Sequence, residues 1–366
     1  MNTHSDTDRF QEIEDKVTSG KRLGFDDGLF LFESNDVIRI GQIADIARKR
    51  QNGNHAYFVY NQHINYTNVC INHCRFCAYA KKSGESGAYA WTAADIRERI
   101  LSRIEEPIRE LHIVGGLNPA LPFDYYEDIL HTAQELRPDA VIKGFTAVEL
   151  DFIARNSGLS LEDAIHRLKA AGLSMLPGGG AEVMSSRVRE QLFPRKIDAG
   201  RWLEVMETAH HAGLTANATM LYGHIETCAE RVSHLLALRE LQDRTSGFCA
   251  FIPLAFHPAN TRLSHLPSTT AFDDLKVIAI SRLLLDNFPH IKAYWVMIGE
   301  KLTQLALSFG ADDLDGTIIE ERIFHTAGAT SPKGLTRDQL RHMITSAGYT
   351  PIERDSFYNS VSESAN

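Results

Sequence analysis

Residues 57–79 read YFVYNQHINYTNVCINHCRFCAY. Positions 57–66 are rich in β-branched and aromatic side chains and read as a strand. Cys70, Cys74 and Cys77 follow at once, in the order C-x3-C-x2-C. The same strand-like texture recurs at 110–114, 141–146, 173–177, 214–221, 248–255, 291–297 and, more weakly, 315–319. Segments with helical spacing lie between these runs. Thr92 and Asp95 make a T-x-x-D cap ahead of Ile96, Ile100, Leu101 and Ile104. Ser160 and Asp163 do the same ahead of Leu161, Ala164, Ile165 and Leu168. Further helices are expected near 124–137, 199–212, 226–243, 272–287, 299–309 and 336–347. Strand–helix alternation sustained over about 280 residues is the mark of βαβ units and a parallel sheet. An open doubly wound sheet carries a glycine fingerprint after its first strand. Here cysteines stand in that place. The expectation is an α/β fold, a TIM-type (β/α)8 barrel over residues 55–350. A helical N-terminal extension, residues 1–54, precedes it, and a C-terminal tail, residues 351–366, follows.

Length and composition agree with one large domain. The chain has 366 residues, 43% hydrophobic and 23% charged, which excludes a disordered chain. Its 38 Lys+Arg against 47 Asp+Glu give a net charge of −9, which argues against a general nucleic-acid binder. It does not exclude an anionic substrate, because a pocket can be locally basic. The first nine residues lack the basic and apolar regions of a secretory signal, and no apolar run is long enough to span a bilayer. Five cysteines are an odd number for a disulfide framework, and three of them cluster. That distribution suits a reducing cytoplasm and a metal or cluster site.

Three thiolates this close converge on one centre only if the loop wraps around it. A structural zinc site takes four ligands, usually as two knuckles, and no second cysteine pair is present; His63 and His73 are the only nearby candidates for a fourth. A hydrolase or lyase barrel with a Cys/His zinc remains an alternative of another class. Four-iron clusters take cysteinyl sulfur at each iron, so a triplet leaves one iron without a protein ligand. C-x3-C-x2-C with an aromatic residue, Phe76, just before the third cysteine resembles the signature of the radical S-adenosylmethionine (SAM) superfamily. The resemblance implies a [4Fe–4S] cluster on Cys70, Cys74 and Cys77, with SAM on the open iron.

Other constellations take their meaning from this one. Gly115 and Gly116 follow the second strand, where the resemblance implies a turn that lets backbone approach the methionine end of SAM. Pro177-Gly178-Gly179-Gly180-Ala181-Glu182 follows the fourth strand and lacks the dinucleotide spacing. Gly179 and Gly180 suit a flat cofactor against bare backbone, and Glu182 a ribose or ammonium contact. Arg187, Arg189 and Arg195 offer a partner for the methionine carboxylate, with Arg189 taken as the candidate. Tyr222, His224 and Glu226 end the fifth strand and His257 the sixth, the end where barrels place catalysis. Glu320, Glu321 and His325 read as a loop entering a helix.

Read together, TNVCINHCRFCAY, GGLNPALPFDYYEDIL, LPGGGAEV, TMLYGHIET, the segment from Glu230 to Pro258 and GTIIEERIFHTAGA resemble the aminodeoxyfutalosine synthase family of menaquinone biosynthesis. Two sister families share much of this pattern: the cyclase acting later on the futalosine route, cyclic dehypoxanthinylfutalosine synthase, and the radical enzymes that build the deazaflavin chromophore. The resemblance implies that the 5′-deoxyadenosyl radical adds to the vinyl carbon of 3-[(1-carboxyvinyl)oxy]benzoate. Rearrangement and loss of bicarbonate then give 6-amino-6-deoxyfutalosine, with SAM consumed. A dicarboxylate substrate calls for cationic or donor groups, with His257, His224 and Arg75 as catalytic candidates. The implied partner is a low-potential electron donor such as flavodoxin or ferredoxin, with no nucleic acid and no membrane.

Overall fold

The computed structural model describes residues 6–361. The described residues begin with three helices, α1 (Asp6–Thr18), α2 (Phe25–Glu33) and α3 (Val37–Asn52). Asp36 caps α3 by accepting the Arg39 N–H, and Val37, Ile40, Ile43, Ala44 and Ala47 form its buried stripe. That stripe lies against the helix Ala271–Leu284. Arg48 is buried and donates to the carbonyls of Gly53, His55 and Ala311, which fastens the extension to the barrel. Asp27 holds α1 to α2 through Arg9 and Lys16, each at 2.8 Å.

Among the described residues ten strands follow: β1 (His55–Val59), β2 (Asn61–Ile64), β3 (Glu110–Ile113), β4 (Val141–Gly144), β5 (Met175–Leu176), β6 (Thr215–Tyr222), β7 (Phe248–Ala255), β8 (His290–Ile291), β9 (Asp313–Gly316) and β10 (Thr350–Arg354). Seven of them, β2 to β8, form one parallel sheet in sequence order, while β10, β1 and β9 form a second. The segment around β9 links the two edges of the larger sheet. On one side the Ala293 N–H donates to Asp313 O at 2.8 Å and the Asp312 N–H to Ile291 O at 3.0 Å. On the other, the His63 N–H donates to Ile319 O at 2.9 Å and the Ile319 N–H to Asn61 O at 3.5 Å. The curled sheet and this eighth strand give the parallel α/β barrel that the strand rhythm predicts.

Three segments differ from the sequence reading, each for a physical reason. Residues 351–354, where that reading begins the tail, belong to β10, which pairs in parallel with β1. The strand buries Glu353 and Arg354, which bond to Arg337 and Asp313, so it has no apolar signature. Ala147–Asn156 is a helix between two expected elements; Thr146 and Glu149 cap it, and eight of its ten residues are buried, which erases amphipathic periodicity. The run 291–297 keeps strand geometry only at its start, because Trp295–Ile298 turns into a short helix whose Trp295 Nε1 donates to Gly316 O.

Candidate active site

The cysteine loop leaves β2 at the C-terminal mouth of the barrel and is fastened to the turn after β3. The Gly116 N–H donates to Thr67 O at 2.9 Å and the Ile71 N–H to Leu117 O at 3.1 Å. These bonds require close approach. A Cβ on Gly116 would sit 2.3 Å from Val69 O and 2.9 Å from Cys70 Cβ, and one on Gly115 would sit 2.7 Å from the Tyr66 ring. Glu149, at the start of the helix after β4, ties the arrangement together. It accepts from the Tyr66 hydroxyl at 2.8 Å, the Gly115 N–H at 2.9 Å and the Thr146 N–H at 2.7 Å. Burial pushes its carboxyl up, and these donors oppose the shift.

Cys70, Cys74 and Cys77 all line one cavity of about 290 Å3. Burial pushes the Cys74 thiol up to about 12 and the Cys77 thiol up as well. Three cysteine thiols on one cavity are a donor set that fits three corners of an iron–sulfur cluster. Among the described residues no three His, Cys, Asp or Glu side chains meet closely enough to hold a single metal ion. Phe76 packs edge-on to Phe193 at 5.8 Å, closing one side of the loop.

The wall opposite is bare backbone. Gly178 and Gly180 have φ of +80° and +100°, and a Cβ on Gly178 would lie 1.8 Å from Asn217 O. Gly178→Ala is therefore expected to lose at least about 3 kcal/mol, measured as a fall in the urea midpoint. Gly179 and Gly180 line the cavity, and Gly179 O accepts from Trp202 Nε1. Glu182 also lines it, at φ +54°, in an ion pair with Lys196. The Lys196 ammonium stands 5.3 Å over the Phe76 ring.

The floor of the cavity is a polar row of which the sequence reading named only His63, as a possible metal ligand. His63 on β2 pairs in register with His112 on β3, and His112 with Lys143 on β4. Register partners point the same way, and all three line the cavity. The two imidazoles stack at 4.4 Å with planes 2° apart, and burial pushes both toward the neutral form. Lys143 is paired with Glu110 at 2.7 Å, and Lys292 with Asp315 at 3.2 Å. Above them Ile252, Leu254, Phe256, Met297 and Phe324 make apolar walls.

Of the candidate catalytic residues, His257 lines this cavity, its Nε2 3.0 Å from Met297 O. Arg75 does not: its side chain is exposed on the outside of the loop, 3.4 Å from Gln191 O, because the backbone there turns the cysteines inward. Arg189 is turned away too, its guanidinium spent on the carbonyls of Lys196 and Pro194. His224 lies outside the lining, fully buried 2.8 Å from Glu226. Burial alone would push the Glu226 carboxyl up. His224, Arg231 at 2.6 Å and the Gly223 N–H at 2.6 Å outweigh it and bring it from the ordinary 4.5 to about 2. A carboxyl depressed on folding adds stability above its unfolded value, and loses it as pH falls through the folded value. About 3 kcal/mol is expected to disappear between pH 4.5 and 2, a slope that Glu226→Gln flattens in urea titrations.

Residues 64–238 match the family model described as the radical SAM superfamily, and residues 245–365 match the CofH/MqnC C-terminal region. Among solved structures, methylornithine synthase superposes with a TM-score of 0.72, covering 93% of this chain and 97% of that one at 18% identity, which shows a common fold. The barrel, its three inward-facing thiols and the family match define a radical SAM enzyme. In sequence the chain is similar to the aminodeoxyfutalosine synthase of Thermus thermophilus, 42% identical over 357 residues with 96% of both chains covered. It is also similar to that of Streptomyces coelicolor, 40% identical over 364 residues, covering 96% of this chain and 94% of that one. The chain belongs to the aminodeoxyfutalosine synthase family. Membership implies a [4Fe–4S] cluster, SAM and a small-molecule substrate. Among the described residues no helix is long and apolar enough to cross a membrane.

Proposed function

We propose that this enzyme joins the 5′-deoxyadenosyl group of SAM to the vinyl carbon of 3-[(1-carboxyvinyl)oxy]benzoate, consuming one water, releasing methionine and bicarbonate and forming 6-amino-6-deoxyfutalosine, the electron spent on the C–S bond being returned as the carboxylate carbon leaves. The observation that carries the reading is a single cavity with three thiols at its mouth and the His63–His112–Lys143 row on its floor. The bound cluster supplies the one electron that cleaves the cofactor's C–S bond. Cys70, Cys74 and Cys77 hold it, and their number leaves one iron for SAM. The Gly115–Gly116 turn, pressed onto the cysteine loop, offers backbone to the methionine end. Gly179, Gly180 and Glu182 offer a flat face and a carboxylate to the adenosine. His63, His112 and His257 present uncharged imidazoles, and Lys143 a cation shared with Glu110, to the substrate's carboxylates. The apolar walls keep out water and spare hydrogen donors around a reactive carbon radical.

A low-potential carrier protein such as flavodoxin or ferredoxin feeds the electron. The test is anaerobic incubation of reconstituted enzyme with SAM, reductant and the enolpyruvyl benzoate, followed by mass spectrometry. The expected product gains the adenosyl fragment and loses the carboxylate carbon. Turnover only on dehypoxanthine futalosine would instead assign the sister cyclase activity.

A further inference from the structure

Among the described residues two lysines and no arginine line the cavity. Lys196 stands at the cysteine end, over the Phe76 ring and paired with Glu182. Lys143 lies on the floor, 2% exposed, and among the described residues its ion pair is with Glu110 alone. Glu110 does not depend on that ammonium, because Asn61 Nδ2 donates to it at 3.1 Å and the Ser356 hydroxyl at 2.6 Å. Asp315, the acid that lines the floor, is answered by Lys292. An ammonium has three N–H donors, so Lys143 keeps donors to spare. Beside it are the stacked rings of His63 and His112. Among the described residues neither imidazole forms a hydrogen bond, and a neutral imidazole still carries one N–H. Buried donors are nearly always paired, so a set left open on a cavity marks the place of a ligand's acceptor.

The substrate of the proposed reaction has two carboxylates with different fates. One stands on the carbon next to the vinyl group and is lost as bicarbonate. The other stands on the benzene ring and survives into the product. The vinyl carbon has to face the thiols at the mouth, so the ring carboxylate is the one directed to the floor, with the ring between the apolar walls. We propose that Lys143, flanked by His63 and His112, seats the ring carboxylate and so selects an aryl acid whose carboxylate is remote from its vinyl group. The proposal rests on the reaction proposed above and adds which carboxylate is held, and by which residue. The group held is not the group lost, so Lys143 grips substrate and product alike.

The test is equilibrium dialysis against cluster-loaded enzyme without reductant, so that nothing turns over. SAM is present for the aryl acids and absent for the product. Four ligands are compared: the substrate, 2-phenoxyacrylate, which lacks the ring carboxylate, 3-(vinyloxy)benzoate, which lacks the other, and 6-amino-6-deoxyfutalosine. Wild type is expected to bind 2-phenoxyacrylate about 100-fold more weakly than the substrate, a comparison that needs no variant. Lys143→Met alone would leave Glu110 as a buried charge without its cation, so the variant used is Glu110→Gln/Lys143→Met, with its fold checked by circular dichroism. In it the dissociation constants of substrate, 3-(vinyloxy)benzoate and product are expected to rise about 100-fold, and that of 2-phenoxyacrylate to stay within about threefold. Glu110→Gln alone keeps the cation and should keep the preference for a ring carboxylate. Wild type that binds 2-phenoxyacrylate as tightly as the substrate, or a double variant that weakens all four ligands equally, overturns the seat. Weakening of substrate and 2-phenoxyacrylate with the product spared gives Lys143 to the departing carboxylate and overturns the orientation. Wild type that binds dehypoxanthine futalosine and none of the enolpyruvyl benzoate overturns the proposed reaction instead.

Discussion

Cys74→Ala is expected to yield a folded, colourless protein that forms no 6-amino-6-deoxyfutalosine. Wild-type protein reconstituted without oxygen should be brown and hold about four irons and four sulfides per chain. Cys74 is the most enclosed of the three thiols, 6% exposed and packed with Val188, Leu192 and Phe193. Loss of its sulfur leaves two corners of the cluster without protein ligands, and a two-cysteine loop does not retain a four-iron cluster. The fold does not depend on it. Its partners in the apolar cluster remain, and trimming a small buried side chain costs only about 1 kcal/mol. Iron content and circular dichroism on the same sample separate the two effects. A variant that keeps its iron, or a wild type that binds one zinc and no iron, contradicts the assignment.

Gly116→Ala is the second large expected effect, because it acts on the joint between cysteine loop and turn. The added methyl would lie 2.3 Å from Val69 O and 2.9 Å from Cys70 Cβ. Neither is the tip of a flexible side chain. Val69 O is backbone one residue before a thiol, and the Gly116 N–H is bonded to Thr67 O. The two turns must part, at a cost of about 1–3 kcal/mol for the misfit. Taken from binding, that is a fall of about 10- to 100-fold in SAM affinity, measured by equilibrium dialysis with the cluster loaded. Gly179→Ala is a contrasting control. Its Cβ would meet only Thr146 Cγ2, at 3.4 Å, so the fold should tolerate it.

The strands were legible because parallel barrel strands, covered on both faces, read as short apolar runs. The expected runs near 110, 141, 215 and 248 correspond to β3, β4, β6 and β7. What escaped was structure whose stability comes from partners distant in sequence. β10 is held by the Arg354–Asp313 and Glu353–Arg337 pairs, and Ala147–Asn156 is too buried to show a polar face. The same division runs through the site. Cysteine spacing is local, and three consecutive glycines are visible as such, but His63, His112 and Lys143 meet only through strand register. Their signal was present as a polar residue at the third position of NQHI, ELHI and VIKG. Arg75 shows the converse: it stands inside the cysteine motif in sequence, while the turn directs its side chain outward.

In the proposed reaction the adenosyl carbon of SAM ends up covalently in the product. The direct measurement uses SAM labelled with 13C throughout its adenosyl group, incubated with reduced enzyme and 3-[(1-carboxyvinyl)oxy]benzoate. The label is expected in 6-amino-6-deoxyfutalosine, mole for mole with methionine released. Label recovered wholly as free 5′-deoxyadenosine, with an unlabelled product, would contradict it.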